Sequence, residues 1–310
     1  MSRGVSRYAV RPPLLLVLLL CQAVISVHTE LVVVPVTVTD ARGHRVGGLS
    51  QENFRVLEDG RPQPIAVFHP GGGPVTLGVI VDRSQSMRPK TRALLSAVST
   101  LLQSTRAGDE LFGVGFNDRV SFALPEGRPF TDDAAALEAA LASIRAEGRT
   151  ALYDAVAEGL QHLQLGRSDK HALIVVSDGG DNASRQTYAR ILDLARRSNA
   201  VIYAIGLLGT SPTEEEEDAG VLVRLCRDTG GVAYFPQAAE DITGVAAHVA
   251  GDIREQYTLG FTPGERTDGR AFRKIEVMVT VAGQQDLKVR TRAGYLTGSD
   301  NAGKGGRDGR

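Results

Sequence analysis

The stretch Val75-Thr76-Leu77-Gly78-Val79-Ile80-Val81-Asp82-Arg83-Ser84-Gln85-Ser86 decides the reading of this chain. Its first seven residues carry no charge and are largely apolar, which predicts a strand buried on both faces, as in a parallel sheet covered by helices. The run then stops at a carboxylate, followed by two hydroxyls at alternate positions. In open parallel sheets, ligands bind in the crevice beyond the carboxyl ends of the strands. Asp82, Ser84 and Ser86 therefore fall where a site belongs, and their hard oxygen atoms suit Mg2+ or Ca2+ rather than Zn2+.

Working outward, Pro89 opens a predicted helix with Leu94, Leu95, Val98, Leu101 and Leu102 on one stripe. A strand over 109–116 follows, with 120–124 as its hairpin partner. Helices are predicted over 132–145, 151–165, 187–198, 221–229 and 240–254, and strands over 171–177, 200–207 and 231–235. Strands alternating with helices predict an α/β fold, a doubly wound and mostly parallel sheet with helices on both faces.

The rhythm differs on either side of this region. Residues 31–39 alternate, with Val32, Val34, Val36 and Val38 on one face, and Pro35 suggests an edge strand. Further strands are predicted over 53–58 and 63–69 before the linker Pro70-Gly71-Gly72-Gly73-Pro74. Beyond Gln256, strands over 257–261, 273–281 and 287–291 are joined by Gly, Pro and Asp turns. These do not readily extend a parallel sheet, so they are expected to pack with the N-terminal strands as a small β module. The division expected is 1–26 as an export signal, 30–70 as an N-terminal β segment, 75–255 as the α/β domain, 256–296 as a C-terminal β segment, and 297–310 as a Gly-rich disordered tail.

The export signal rests on Arg3, Arg7 and Arg11 ahead of the apolar run Leu14–Leu20, with small residues after it. Cleavage after Ala23 or Ser26 is expected. The run is short beside the ~20 apolar residues of a membrane span, although an uncleaved anchor is the alternative. Leu20 is too bulky for the residue that precedes a lipidated cysteine, which counts against Cys21 as a lipid anchor. Removal of the signal leaves Cys226 alone, so no intrachain disulfide forms, and its place in a helical apolar pattern predicts a buried thiol. Periplasmic, cell-surface or secreted placement follows. With 35 basic and 36 acidic residues, the chain lacks the basic surplus of a nucleic-acid binder. The acidic run Thr213–Asp218 reads as a solvated loop, with a cation-attracting loop as the alternative.

Two further segments point at the crevice. Ile174-Val175-Val176-Ser177-Asp178-Gly179-Gly180 is a second apolar strand ending in an acid, and Thr150 stands in a loop at a helix start. The ordered set Asp82, Ser84, Ser86, Thr150 and Asp178 resembles the von Willebrand factor type A family and its metal ion-dependent adhesion site, written D-x-S-x-S, then a distant T, then a distant D. All five positions match, and the resemblance covers roughly 75–250. The flanking Val38-Thr39-Asp40-Ala41-Arg42-Gly43, Leu57-Glu58-Asp59-Gly60, Gln256-Tyr257-Thr258-Leu259-Gly260-Phe261 and Arg292-Ala293-Gly294-Tyr295 resemble a bacterial group of exported type A-related proteins. The resemblance implies that Ser84, Ser86 and Thr150 contact one divalent cation, Mg2+ or alternatively Ca2+ or Mn2+, with Asp82 and Asp178 acting directly or through water. An open coordination position would then attract a carboxylate from a protein or peptide partner, with association at the cell envelope.

Plainer readings exist for each residue. Asp82 or Ser84 suits a helix cap, Thr150 an N-cap, and Asp178 a strand-end turn. Asp181 and Asn182 read as turn residues near Asp178, Asp154 as exposed, and Asn117-Asp118 as a hairpin turn. A metal-dependent hydrolase would need a general base at the crevice. None of His28, His44, His69, His162, His171 and His248 is placed there by the pattern. His171 starts a strand whose other end holds Asp178, roughly 20 Å away. No G-x-S-x-G elbow, zinc motif or phosphate loop appears. The chain is therefore read as a binding module rather than an enzyme. A structural envelope protein without a metal-dependent role is the alternative, and a hydrolase a further one.

Overall fold

The computed structural model describes residues 31–208, 219–264 and 271–297. The expected export signal, the acidic run Thr213–Asp218 and the tail beyond Thr297 lie outside the described residues.

The uncharged stretch and the Asp82 that ends it form the central strand β5 (Val75–Asp82), counted after four N-terminal strands: β1 (Val32–Thr39), β2 (Phe54–Glu58), β3 (Arg61–Gln63) and β4 (Val67–His69). Every residue of β5 is buried. It is followed by α1 (Thr91–Gln103), the hairpin β6 (Glu110–Phe116) and β7 (Val120–Phe122), α2 (Ala134–Ser143), α3 (Leu152–Leu163), β8 (Lys170–Ser177), α4 (Tyr188–Arg197), β9 (Val201–Gly206), α5 (Ala219–Thr229), β10 (Ala233–Tyr234) and α6 (Ala239–Glu255). The sheet order is β10-β9-β8-β5-β6-β7. All its pairings are parallel except the antiparallel β6–β7 edge.

Alternate β5 residues feed two separate cores. Leu77, Val79 and Val81 pack with Leu94 of α1, Leu137 of α2 and Val249 of α6. Ile80 faces the other way, with Val156 of α3, Ile191 of α4 and Leu222 of α5. Burial of such side chains, each worth about 1.5–3 kcal/mol, fixes the register of the helices on the sheet. Gly78 is required by close approach, because a Cβ there would lie 2.3 Å from the Phe112 ring and 2.6 Å from Leu173.

The remaining strands are β11 (Tyr257–Phe261), β12 (Phe272–Val279), β13 (Lys288–Thr291) and β14 (Gly294–Leu296). They mix with the N-terminal strands in two four-stranded sheets, β13-β1-β11-β4 and β14-β12-β2-β3. Val34, Val36, Phe54, Val56, Tyr257, Phe261 and Tyr295 share one core between these sheets. The Phe54 and Tyr257 rings meet across it at 5.0 Å between centroids.

Three details differ from the sequence reading. β1 is an interior strand, paired with β11 over Val32–Val36 and with β13 over Val36–Thr39. Pro35 is tolerated because pairing with β13 begins one residue later, and its carbonyl accepts from Thr291 Oγ1 at 2.7 Å. The stretch 63–69 is not one strand. It breaks after Gln63 at Pro64, with β3 bound to β2 and β4 bound to β11, so the chain changes sheets there. The three-residue strand β14 was not predicted at all.

Candidate metal centre

Asp82 ends β5 and Ser177 ends β8, which are neighbouring parallel strands. That adjacency places Asp178, the next residue, beside the loop that follows Asp82. Asp82 is fully buried, Asp178 is 1% exposed and Ser84 is 1% exposed. Ser86 Oγ donates to Asp178 Oδ2 at 2.7 Å, and Ser84 Oγ lies 3.0 Å from Ser86 Oγ. The Asp82 carboxylate accepts from Ser84 N at 2.8 Å through one oxygen, and from Ser177 Oγ at 2.6 Å through the other.

Thr150 reaches the same rim through its loop. Gln85 N donates to Gly148 O at 3.0 Å, and Glu147 N donates to Arg83 O at 2.8 Å. Gly148 has φ +77°, a conformation open to glycine at little cost, which turns the chain into Thr150. Thr150 N donates to Asn182 Oδ1, and Thr150 O accepts from Asn182 N and Ala183 N, so this loop is also bound to the segment after Asp178. Thr150 itself is 2% exposed. Asp82, at the end of β5, and the four other sequence-predicted residues, on loops bonded to one another, thus sit at the carboxyl end of the sheet.

The plainer readings fare unevenly. The N-cap of α3 is Ala151, and it makes no side-chain cap, so Thr150 does not cap that helix. Ser84 is the N-cap of a short 3-10 turn over 85–87 but makes no side-chain cap bond. Asp82 does accept one backbone N–H, from Ser84. Asp181 and Asn182 act as loop fasteners: Asp181 Oδ1 accepts from Tyr153 N and Ser184 Oγ, and Asn182 holds Thr150. Asp154 is half-buried rather than exposed. Its carboxylate accepts from Arg185 N and Gln186 N and anchors the loop after β8.

Three participants were not found from sequence. Ser177 grips Asp82; its place one residue before Asp178 at the end of an apolar strand was the available signal. Lys90 Nζ lies 3.3 Å from Asp178 Oδ2, the oxygen that also accepts from Ser86. Arg83 is buried, and its Nε donates to Ile144 O at 2.7 Å, tying the 144–150 segment to the Asp82 loop. No periodicity marks either cation.

Burial, and then the neighbouring Asp178 charge, push the Asp82 carboxyl up to about 6, while the bonds from Ser177 and Ser84 oppose the rise. Two buried carboxylates and three hydroxyls are a hard oxygen donor set, and a divalent cation would favour the ionised form that burial disfavours. The donors present therefore fit a Mg2+-type ion. Among the described residues no three His, Cys, Asp or Glu side chains converge as a metal cluster, so a centre here draws on hydroxyls.

Residues 77–180 match the family model of the von Willebrand factor type A domain. A von Willebrand factor type A protein from Catenulispora acidiphila has a similar fold, with a TM-score of 0.53 at 13% identity over 80% of this chain and 74% of that one. Proximal thread matrix protein 1 from the mussel byssus gives a TM-score of 0.50 at 15% identity, over 65% of this chain and 51% of that one. No curated protein matches in sequence.

Proposed function

Given that residues 77–180 carry a von Willebrand factor type A domain, we propose that the chain is a binding module that grips an acidic group of a protein partner through one divalent cation. The observation that carries this reading is the 2.7 Å bond from Ser86 to Asp178, which joins the ends of two strand-loop units 92 residues apart around Ser84 and Asp82. Ser84, Ser86 and Thr150 would hold the ion, and Asp82 and Asp178 would neutralise it directly or through water. The ion would supply an electrophilic coordination position for a partner's carboxylate.

The chain's own residues set up that position. Ser177 orients Asp82, Arg83 and Gln85 draw the Thr150 loop in, and Asn182 fixes the Thr150 backbone. The support for binding over catalysis is chemical. The described histidines lie away from this rim: His44 lies by Asp40, His69 by Asp169 and His248 by Asp252, His162 bonds Pro129 O, and His171 stands at the opposite end of β8 from Ser177.

Calorimetric titration of the folded protein with Mg2+, Ca2+ and Mn2+ tests the proposal. One site per chain is expected, abolished in Asp178→Asn with the circular dichroism spectrum retained. Uptake unchanged by Asp178→Asn would place any ion elsewhere.

A further inference from the structure

The formal net charge of the chain is −1, yet among the described residues the rim around the candidate centre is basic. Among the described residues, four loops form that rim: 83–90 after β5, 117–119 after β6, 144–150 before α3, and 179–187 after β8. Arg88, Arg119, Arg145, Arg149 and Arg185 are exposed on them, against the exposed carboxylates of Asp118 and Glu147. Arg149 is taken up by Asp118, with Nε 3.0 Å from Oδ1. Among the described residues, none of Arg88, Arg119, Arg145 and Arg185 pairs with a carboxylate.

The loops are bonded into one platform, so the backbone positions that carry these arginines are fixed around the ion position. Arg83 N donates to Phe116 O, Gln85 N to Gly148 O, Ala151 N to Asn117 O and Asn182 N to Thr150 O, all between 2.7 and 3.0 Å. Arg88 Nε donates to Ala146 O at 2.8 Å, which spreads its charge onto the neighbouring loop. A guanidinium presents a planar fork that matches a carboxylate.

We propose that the partner segment is an acidic peptide with several adjacent carboxylates, one for the ion and the others for this arginine collar. The inference rests on the metal-centre reading and extends it, because one carboxylate would meet the ion and leave the surrounding cations unanswered. A run of carboxylates is steered in by the collar and held in register by it. A uronic-acid polysaccharide carries similar charges, but the four loops contain no aromatic side chain on which a sugar face could stack.

The test uses the full chain with saturating Mg2+ and two capped peptides, Gly-Glu-Glu-Glu-Glu-Gly and Gly-Gln-Glu-Gln-Gln-Gly. The four-glutamate peptide is expected to bind at least about tenfold more tightly at low salt, with the difference shrinking to about twofold near 0.5 M NaCl as screening sets in. The combined variant Arg119→Gln, Arg145→Gln and Arg185→Gln is expected to lose that preference while Mg2+ uptake stays as in the parent. Equal affinity for the two peptides, with Mg2+ uptake intact, would overturn the collar and leave the metal centre standing. Tight binding of tetragalacturonate with neither peptide bound would overturn it in favour of a polysaccharide. Absence of Mg2+ uptake, measured before any peptide is added, would instead remove the centre on which the collar depends.

Discussion

The ammonium of Lys90 lies 3.3 Å from Oδ2 of Asp178, the oxygen that accepts the hydrogen bond from Ser86. A fixed positive charge thus sits beside the position read as a cation site. Like charges at such a range, in a solvent-screened rim, cost about 1 kcal/mol or somewhat more. The variant Lys90→Met is therefore expected to bind Mg2+ about tenfold more tightly, measured by calorimetry at constant ionic strength. An unchanged or weaker affinity would show that Lys90 instead helps to shape the site.

The Asp82 carboxyl, pushed up from 3.8 to about 6 by burial and then by Asp178, gives the metal-free protein a distinctive pH dependence. A carboxyl with a raised pKa holds its proton more tightly when folded than when unfolded. Its contribution to stability is therefore lost as pH rises from about 4 through about 6, by an amount on the order of 3 kcal/mol. Urea unfolding in EDTA across that window measures the loss, and a rise in stability from this residue, judged against Asp82→Asn, would contradict it.

The same carboxyl links ion uptake to proton release. At about pH 5, Mg2+ binding has to displace the Asp82 proton, whereas at about pH 8 there is none to displace. Titration heats are expected to vary with the ionisation enthalpy of the buffer at the lower pH and to be buffer-independent at the higher. Buffer-independent heats at both values would show that Asp82 does not answer to the ion.

Ser177→Ala removes the 2.6 Å bond that opposes the rise of the Asp82 pKa. A further upward shift of Asp82 is expected, together with a loss of about 1–2 kcal/mol of stability. Mg2+ affinity should then fall more at pH 6 than at pH 8. An equal fall at the two pH values would mean that Ser177 acts by shape alone.

Away from the rim, Asp252 of α6 is buried between Arg290 of β13, to which it is hydrogen-bonded, and Arg45, with His248 Nε2 3.7 Å away. Breaking a buried ionic group by removing one partner costs about 3–5 kcal/mol. Asp252→Ala is expected to lower the melting temperature by roughly 10 °C, with Mg2+ affinity unchanged at low temperature. A shift of only a few degrees would show that Arg290 and Arg45 find other partners.

Much of the α/β domain could be read from local pattern, because β5 carries no ionisable side chain before its last residue, Asp82, and α1 and α3 carry one apolar stripe each. The five oxygen-bearing residues were legible for a related reason: each lies where an apolar strand stops or a helix begins. What was missed depends on distant neighbours. Pro64 ends β3 because the chain must leave one small sheet for the other, which no local signal announces. Asp154 looked exposed because its two backbone donors come from 185 and 186, on another loop. Lys90, Arg83 and Ser177 became participants only when the ends of β5 and β8 were set side by side.

The most direct test of the account is anomalous diffraction from crystals of this protein grown with Mn2+. A single strong peak is predicted at the carboxyl end of the sheet, within coordination reach of the hydroxyls of Ser84, Ser86 and Thr150. A density map with no peak there, or with the ion bound at a different set of side chains, would contradict it.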